Sequence, residues 1–364
     1  MKPGLNCLYI YLTDECNLRC IHCWQSAPLS GKGKYSRLDF NECKKFLDDA
    51  IELGLKSIIF SGGEPLLNPG FKKFAEYFYK KSIRMTIETN GILISEEKIL
   101  NTIKKNEIYC AISLDGVNPV THNKQRGITN AFEQTVQSLE KLEQEKIYYQ
   151  IIMAISKFNY QELIPLLDWI KEKYKYCEKF KINIVNRLGR AAGMDKKGLL
   201  FRPEEYPKIT EDLSGIFDHY PFKVVLHIDP VFFSFKNLMS TYSCGGHCGY
   251  KSSLSILANG SVSICSLGKQ FNKYIFGHVS TIDVKKIWES HPMLIDIHES
   301  THTKLKGICS NCIFRQQCLG SCRAEALCVY GDFFEPHPRC QEYYDSGKFP
   351  KSRLINQDKE IKYL

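Results

Sequence analysis

Residues 8–23 read LYIYLTDECNLRCIHC. The apolar and aromatic run over Leu8–Thr13 predicts a β-strand, and three cysteines crowd into the loop that follows it. In parallel α/β folds, the loops after the carboxyl ends of the strands carry the chemistry. We therefore expect this segment to begin a parallel sheet and to place a reactive loop at its edge.

The same alternation of strands and helices continues to about residue 186. The predicted strands are Leu8–Thr13, Ser57–Phe60, Arg84–Glu88, Ile108–Leu114, Lys146–Ile155 and Phe180–Val185. The predicted helices lie near Asp39–Leu53, Pro69–Lys81, Glu96–Lys105, Asn130–Glu145 and Tyr160–Lys173. Continuous apolar strands separated by helical patterns indicate a parallel sheet covered by helices. These units predict an α/β protein with a partial (β/α)6 barrel.

Polar, glycine-containing loops follow the second, third and fourth predicted strands. They read Ser61-Gly62-Gly63-Glu64-Pro65, Thr89-Asn90-Gly91 and Asp115-Gly116. Because the carboxyl ends of parallel strands meet at one edge, these loops are expected to share a rim with the cysteine loop.

The pattern changes after the predicted barrel. Residues 187–243 are ambiguous, with a helix near Pro203–Phe217 and a strand near Lys223–Ile228. From Cys244 onward, short segments, dense cysteines and a hairpin signal at Asn259-Gly260 predict a small metal-stapled domain. The expected divisions are a barrel over 1–190, a connecting segment over 191–243, a cysteine-rich domain over 244–345 and a loosely held tail over 346–364.

Composition excludes several classes of protein. The chain has 364 residues, of which 43% are hydrophobic and 24% charged, as in an ordinary globular protein rather than a disordered or fibrous one. No apolar run approaches the ~18 residues of a membrane span. The N-terminus lacks a signal-peptide pattern, so we expect a reducing, cytoplasmic location where structural disulfides are rare.

Cysteine is the outlying residue type. Nine of the 16 cysteines lie between Cys244 and Cys340, and three lie between Cys16 and Cys23. Scattered core cysteines would not cluster in this way. The clustering therefore predicts metal or iron–sulfur ligation.

The first group, Cys16, Cys20 and Cys23, has the spacing C-x3-C-x2-C. Three thiolates so close in sequence can reach three corners of one 4Fe–4S cubane, which normally takes four cysteine ligands. One iron would then remain open for chemistry. The alternative is a zinc site that uses the three cysteines and His22.

This region resembles the radical S-adenosylmethionine enzymes, whose signature is C-x3-C-x-aromatic-C, with His22 in the aromatic slot. Gly62-Gly63-Glu64-Pro65 is similar to that family's motif for the methionine amino group. Ser113-Leu114-Asp115-Gly116, followed by Arg126-Gly127, is similar to its ribose- and carboxylate-binding region. The resemblance covers roughly residues 5–186.

The resemblance implies S-adenosylmethionine as a cofactor that is cleaved to a 5′-deoxyadenosyl radical. The residues expected to contact it are His22, Gly63, Glu64, Asn90, Ser113, Asp115 and Arg126. Glu64 would accept a hydrogen bond from the ammonium group, and Arg126 would pair with the carboxylate. The two glycines would let the backbone approach closely.

The C-terminal cysteines resemble the SPASM extension of the same family. The ligation pattern of that family implies one 4Fe–4S cluster held by Cys244, Cys248, Cys265 and Cys322, and another held by Cys309, Cys312, Cys318 and Cys340. With the first site, the resemblance implies three 4Fe–4S clusters. Full ligation would leave no iron of the two auxiliary clusters open to a substrate, which favours a role in electron transfer or structural support. The alternative is a pair of sites like those of a zinc ribbon.

Five cysteines remain outside these sets: Cys7, Cys43, Cys110, Cys177 and Cys328. Cys43 and Cys110 lie on predicted apolar faces and are expected in the core. Cys328 lies between two predicted ligands. It is a candidate hydrogen donor or redox thiol, with simple packing as the alternative.

The resemblance implies a peptide or protein substrate, modified by a thioether or carbon–carbon crosslink, and a flavodoxin- or ferredoxin-type electron donor. Alternatives are oxidation of a small molecule or a tetrapyrrole side chain, sulfatase-maturase-like oxidation of Cys or Ser, and a binding module that has lost cleavage. The maturase alternative is weakened because Ser266 stands where those enzymes place an aspartate base.

The formal charge of +9 does not by itself predict nucleic-acid binding. Iron–sulfur sites with three, four and four thiolates would add about −1, −2 and −2, which lowers the net charge to roughly +4. We therefore expect neither nucleic acid nor membrane as a partner.

Overall fold

The computed structural model describes residues 4–31, 33–215, 219–239 and 249–356. Within them, ten strands form one sheet in the order β10-β9-β8-β1-β2-β3-β4-β5-β6-β7. The strands are β1 Cys7–Thr13, β2 Ser57–Gly62, β3 Arg84–Thr89, β4 Tyr109–Ser113, β5 Tyr149–Ile155, β6 Cys177–Ile184, β7 Lys223–His227, β8 Ser253–Ile256, β9 Ser261–Ser263 and β10 Ile275–His278.

Strands β1 to β7 are parallel and neighbour one another in chain order, as in a partial (β/α) barrel. The predicted fold class is confirmed. The sheet extends further than the six predicted strands, because β7 adds to one edge and the C-terminal hairpin adds to the other. Strand β8 pairs in parallel with β1, and β9 turns back antiparallel to β8 at Asn259-Gly260.

Helices separate the parallel strands and cover one face of the sheet. Those of the barrel region are α1 Phe40–Glu52, α2 Phe71–Lys80, α3 Glu97–Lys105, α4 Pro119–Arg126, α5 Ala131–Gln144 and α6 Leu163–Lys173. Asp39 caps α1 by accepting from the amides of Asn41 and Glu42 at 2.8 and 3.1 Å. Cys43 and Cys110 are fully buried in the core between these helices and the sheet, as predicted.

The predicted element boundaries differ from the observed ones at a few positions. Strand β5 begins at Tyr149 rather than Lys146, because Lys146 has a φ of +56° in the turn that follows α5. Tyr160–Glu162 forms a short 3-10 turn before α6, whereas a continuous helix was predicted there. Strand β6 begins earlier than predicted, at Cys177.

Further helices follow the barrel region, between strands β6 and β8 and after β10. These are α7 Ala191–Lys196, α8 Tyr206–Ser214, α9 Phe235–Met239, α10 Val284–Ser290, α11 Pro292–Lys304, α12 Gly307–Ser310, α13 Arg315–Cys318, α14 Arg323–Tyr330 and α15 Pro338–Asp345. Within the predicted tail, the described residues up to Asn356 contact the rest of the protein. Arg353 is buried and donates to the Phe233 carbonyl at 3.0 Å, while its own carbonyl accepts from Ile313 at 2.9 Å.

In the part of the chain that the structure describes, no helix combines the length and the apolar character that crossing a membrane requires.

Candidate active site

The loops after the first three strands are tied together at the carboxyl edge of the sheet. The Glu64 amide donates to the Glu15 carbonyl at 2.7 Å. The Asn90 side chain donates to the Asn17 side chain at 2.7 Å and accepts from the Ile92 amide at 3.0 Å. Hydrogen bonds therefore hold three of the loops predicted to be functional in one rim.

Two glycines let the backbone pack closely around the cysteine loop. A Cβ on Gly63 would lie 2.0 Å from the Glu15 carbonyl oxygen, and one on Gly127 would lie 2.2 Å from the Arg19 carbonyl oxygen. Gly127 also has a φ of +75°, which favours glycine. These positions cannot accept a methyl group unless the cysteine loop moves.

The three N-terminal cysteines lie within this closely packed loop. The Cys23 amide donates to the Cys20 carbonyl at 3.3 Å, and the Leu18 amide donates to the Cys16 sulfur at 3.4 Å. Burial raises the pKa of the Cys16 thiol, and the charges of Glu64 and of the other two thiols raise it further. Because a buried thiolate requires a compensating positive charge, the loop fits a bound metal group.

Glu64 is buried under the rim, where its carboxylate joins two loops. Its Oε1 accepts from the Thr89 hydroxyl at 2.7 Å, and its Oε2 accepts from the Asn90 amide at 2.9 Å. Burial raises the pKa of Glu64 to about 7, and the hydrogen bonds oppose this rise only in part. A bound ammonium group would stabilise the ionised form, so the predicted contact with S-adenosylmethionine is chemically reasonable and stays a prediction.

His22, Asp115 and Arg126 come together beside the cysteine loop. Arg126 Nη2 lies 2.7 Å from Asp115 Oδ2, and Arg126 Nη1 lies 3.8 Å from the Cys20 sulfur. The His22 Nε2 atom lies 4.0 Å from Asp115 Oδ2. Burial lowers the pKa of His22 to about 4, so the ring is neutral near pH 7. The Arg126 charge is already paired within the protein, and its contact with the cofactor carboxylate stays a prediction.

Ser113 completes the predicted cofactor-binding set. It is the last residue of β4, is half-buried and pairs with Ile152 of the neighbouring strand. The strand end therefore places it at the same edge of the sheet as Asp115.

Arg190, which no sequence motif indicated, also holds the cysteine loop. Its Nε donates to the Cys20 carbonyl at 2.8 Å, its Nη1 donates to the Ala27 carbonyl at 2.9 Å, and its amide donates to the Cys23 carbonyl at 3.0 Å. Arg190 lies in the loop after β6, so its position after a strand end was the available signal.

Four of the predicted auxiliary ligands line one cavity. They are Cys309, Cys312, Cys318 and Cys340. Burial raises the pKa of all four thiols, and the charge of Asp229 on the cavity wall adds to this effect. A cavity lined by so many buried thiols and a carboxylate fits a cationic iron–sulfur core.

The second predicted auxiliary set is only partly described. Cys265 follows β9, and Cys322 is the N-cap residue of α14. Cys244 and Cys248 lie outside the described residues. Ligation by this set therefore stays a prediction.

Cys328 lies on α14 and is half-buried. Its thiol donates to the Gln270 side chain at 3.4 Å, and burial raises the pKa of this thiol. The neighbouring Lys269 contacts the Asp14 carboxylate and donates to the Gln25 side chain at 3.2 Å. These contacts connect the segment beside Cys328 to the cysteine loop, and the role of the thiol stays a prediction.

Comparisons with known proteins identify the family of this chain. The family model described as the radical SAM superfamily, where SAM is S-adenosylmethionine, matches residues 10–170. This span contains the three-cysteine loop and strands β2 to β5, and the chain belongs to the radical SAM superfamily. A second model, SPASM, described as an iron-sulfur cluster-binding domain, matches residues 244–313. Within the superfamily, the chain is therefore a SPASM-domain protein.

Two curated relatives of similar sequence identity are named for different kinds of product. The AdoMet-dependent heme synthase of Methanosarcina barkeri is 27% identical over 348 residues, which cover 93% of this chain and 96% of the relative. The antilisterial bacteriocin subtilosin biosynthesis protein AlbA of Bacillus subtilis is 26% identical over 314 residues, covering 84% of this chain and 66% of AlbA.

Solved structures show the same fold. The crystal structure of Streptococcus suis SuiB bound to S-adenosylmethionine superposes with a TM-score of 0.73 at 17% identity. The match covers 93% of this chain and 78% of SuiB. This likeness supports the architecture and leaves the substrate open.

Proposed function

We propose that this radical SAM enzyme oxidatively crosslinks a peptide substrate. When bound, S-adenosylmethionine and the clusters would supply hydrogen abstraction by a 5′-deoxyadenosyl radical and uptake of the second electron that crosslinking releases. Cys16, Cys20 and Cys23 would hold the radical-generating cluster, and the four cysteines that line one cavity would hold an auxiliary one. A flavodoxin- or ferredoxin-type protein would deliver the first electron.

The residues of the rim would bind and orient S-adenosylmethionine. Glu64 belongs to the Gly62-Gly63-Glu64-Pro65 loop, and its buried carboxylate would favour a bound ammonium group. Arg126 and Asp115 form a buried pair beside Cys20. These charges act in a water-poor environment, where they orient a zwitterionic group more strongly than they would in water.

The observation that carries the peptide assignment is the polarity of the inner face of the sheet. Side chains alternate along each strand, and the fully buried set points into the helix-covered core. The opposite face mixes apolar side chains such as Ile59 and Ile152 with hydrogen-bonding ones, which include Ser61, Glu88, Gln150, Lys181 and Asn183. The Ser61 hydroxyl donates to the Glu88 carboxylate across neighbouring strands at 3.2 Å. Such a polar surface suits the amide groups of a peptide.

Anaerobic turnover tests this proposal. The reconstituted protein is incubated with S-adenosylmethionine, a reductant and a short peptide encoded beside its gene. Mass spectrometry is expected to show a peptide lighter by two hydrogens, together with methionine and 5′-deoxyadenosine. Unchanged peptides alongside cofactor cleavage would count against the peptide assignment. Changing Cys16, Cys20 and Cys23 to Ala is expected to abolish cleavage, and retained cleavage would contradict the first cluster site.

A second candidate is oxidation of a tetrapyrrole side chain. The match to the M. barkeri heme synthase favours it, because that match spans 93% of this chain and 96% of the relative. The same assay is therefore run with an iron porphyrin that carries propionate side chains. A product lighter by one carbon dioxide and two hydrogens per side chain would favour this candidate over the peptide.

A further inference from the structure

At one corner of the cysteine cavity, a carboxylate and an imidazole converge on a thiol. The ligand atoms of Asp229, His337 and Cys340 lie within 4.8 Å of one another, and all three residues are buried. It is the one group of three such donors that the described part of the chain brings so close together. The cavity thus offers more metal-binding groups than the four that a cubane uses.

Asp229 has an oxygen available for a metal. Its Oδ2 accepts from Arg339 Nη1 at 3.0 Å, which offsets part of the carboxylate charge. Its Oδ1 makes no hydrogen bond of ordinary geometry within the described residues, although Ser321 lies close enough to favour the ionised carboxyl. Burying a carboxylate oxygen without a full hydrogen-bond partner lowers the stability of the fold, unless a nearby cation compensates for the charge.

His337 is less suited than Asp229 to bind iron. Its Nδ1 lies 3.6 Å from Asp229 Oδ2, and its Nε2 lies 3.5 Å from Glu325 Oε1. Each ring nitrogen therefore lies near a carboxylate, which leaves it less free to bind a metal in the cavity. Its backbone amide donates to the Cys309 sulfur at 3.4 Å, as expected of a residue that supports a ligand.

We propose that Asp229 is a reserve iron ligand, which binds the iron at the Cys340 corner when that thiolate is displaced. This inference rests on the proposed function, since it requires an iron–sulfur cluster in the cavity. In the exchange, the iron–sulfur bond to Cys340 breaks and an iron–oxygen bond to Asp229 forms. No electron is transferred, and the released thiolate takes a proton from the medium. The site therefore keeps its iron through the loss of one thiolate.

Iron analysis of the reconstituted full-length chain tests the proposal. Wild-type protein with three cubanes carries about 12 irons, and Cys340→Ala is expected to keep nearly all of them. Cys312→Ala is the matched control, because Cys312 lines the same cavity but belongs to no close group of three donors among the described residues. It is expected to lose about four irons, as is the double variant Cys340→Ala/Asp229→Asn.

The outcomes separate the two proposals. Wild-type protein without iron in this cavity would contradict the proposed function itself. If wild-type protein holds this iron and the folded variants Cys340→Ala and Cys312→Ala lose equal amounts of it, only the reserve-ligand proposal is overturned. Retention of the iron by the double variant would overturn it as well, because Asp229 would then be unnecessary.

A second measurement leaves all the cysteines in place and decides the matter if Cys340→Ala does not fold. Iron release to a ferrous chelator is compared between Asp229→Asn and Glu325→Gln. Glu325 faces the same His337 ring and lies 3.9 Å from Arg339, but it lines a different cavity. Release several-fold faster from Asp229→Asn supports the proposal, and equal rates overturn it.

Discussion

The Arg126 guanidinium lies 2.7 Å from the Asp115 carboxylate, with the Asp115 side chain fully buried and the Arg126 side chain 7% exposed. Asp115 follows β4, and Arg126 ends α4. Burial alone would raise the pKa of Asp115, but the nearby Arg126 charge is the largest opposing influence, and this pKa lies below its usual value. The pair therefore joins a strand end, a helix and the cysteine loop in one charged unit.

Removing one partner of this pair should be costly. Asp115→Ala leaves a buried guanidinium without a counter-charge, which is expected to lower the free energy of unfolding by about 3–5 kcal/mol. Anaerobic urea denaturation measures this loss. Breaking the exposed Lys173–Glu140 pair with Glu140→Ala serves as a control and is expected to change little. Equal effects of the two variants would refute the argument.

Glu64 should make stability fall as pH rises through the acidic range. Burial raises the pKa of Glu64 to about 7, against a usual value of 4.5, so the folded state binds more protons between these values. Stability then decreases with pH in that window, because the unfolded chain releases the proton first. We expect wild type to lose stability relative to Glu64→Gln between pH 4.5 and 7. Parallel curves of unfolding free energy would contradict this.

Arg190 is expected to act as a positioning residue for the first cluster. Arg190→Lys keeps the charge but cannot donate to both the Cys20 and Ala27 carbonyls as the guanidinium does. A displaced loop should lower S-adenosylmethionine cleavage on the order of tenfold to a hundredfold, and should broaden the electron paramagnetic resonance signal of the reduced cluster. Arg202→Ala, at a partly exposed ion pair with Asp195, is the control. Unchanged cleavage and spectra in Arg190→Lys would exclude the role.

Two glycine substitutions should have opposite effects on thermal unfolding. Gly63→Ala places a methyl group against the Glu15 carbonyl and is expected to cost about 1–3 kcal/mol, because backbone atoms must move. Gly193→Ala meets nothing within 4 Å in helix α7 and is expected to gain about 0.5–1 kcal/mol. A stable Gly63→Ala variant would show that the cysteine loop can move freely.

The sequence alone allowed the parallel sheet and the rim to be predicted, because both depend on local patterns. Apolar runs such as Leu8–Thr13 and the polar loops after them are visible within a few residues. The strand limits were harder to predict. Lys146 has a positive φ in the turn before β5, and a lysine in the sequence does not indicate such a backbone conformation. The addition of β8 beside β1 depends on pairing between residues that are far apart in the chain.

Arg190 and Asp229 show why part of the candidate site escaped prediction. Both follow strands, β6 and β7, in the segment that read as ambiguous. Nothing in their neighbours indicates that Arg190 donates to the Cys20 carbonyl, or that Asp229 reaches Cys340. The local signal that both residues do carry is their position after the ends of parallel strands.

By itself, the sequence determined the class of chemistry, because Cys16, Cys20 and Cys23 are close enough along the chain to act together whatever the rest of the fold does. Only the tertiary structure decided which distant charges surround the thiols: Arg126 and Arg190 around the first loop, and Asp229 beside Cys340. The physical reason is range. Thiol spacing is set by a few backbone bonds, whereas buried charge pairs form only when separate strands and helices pack together.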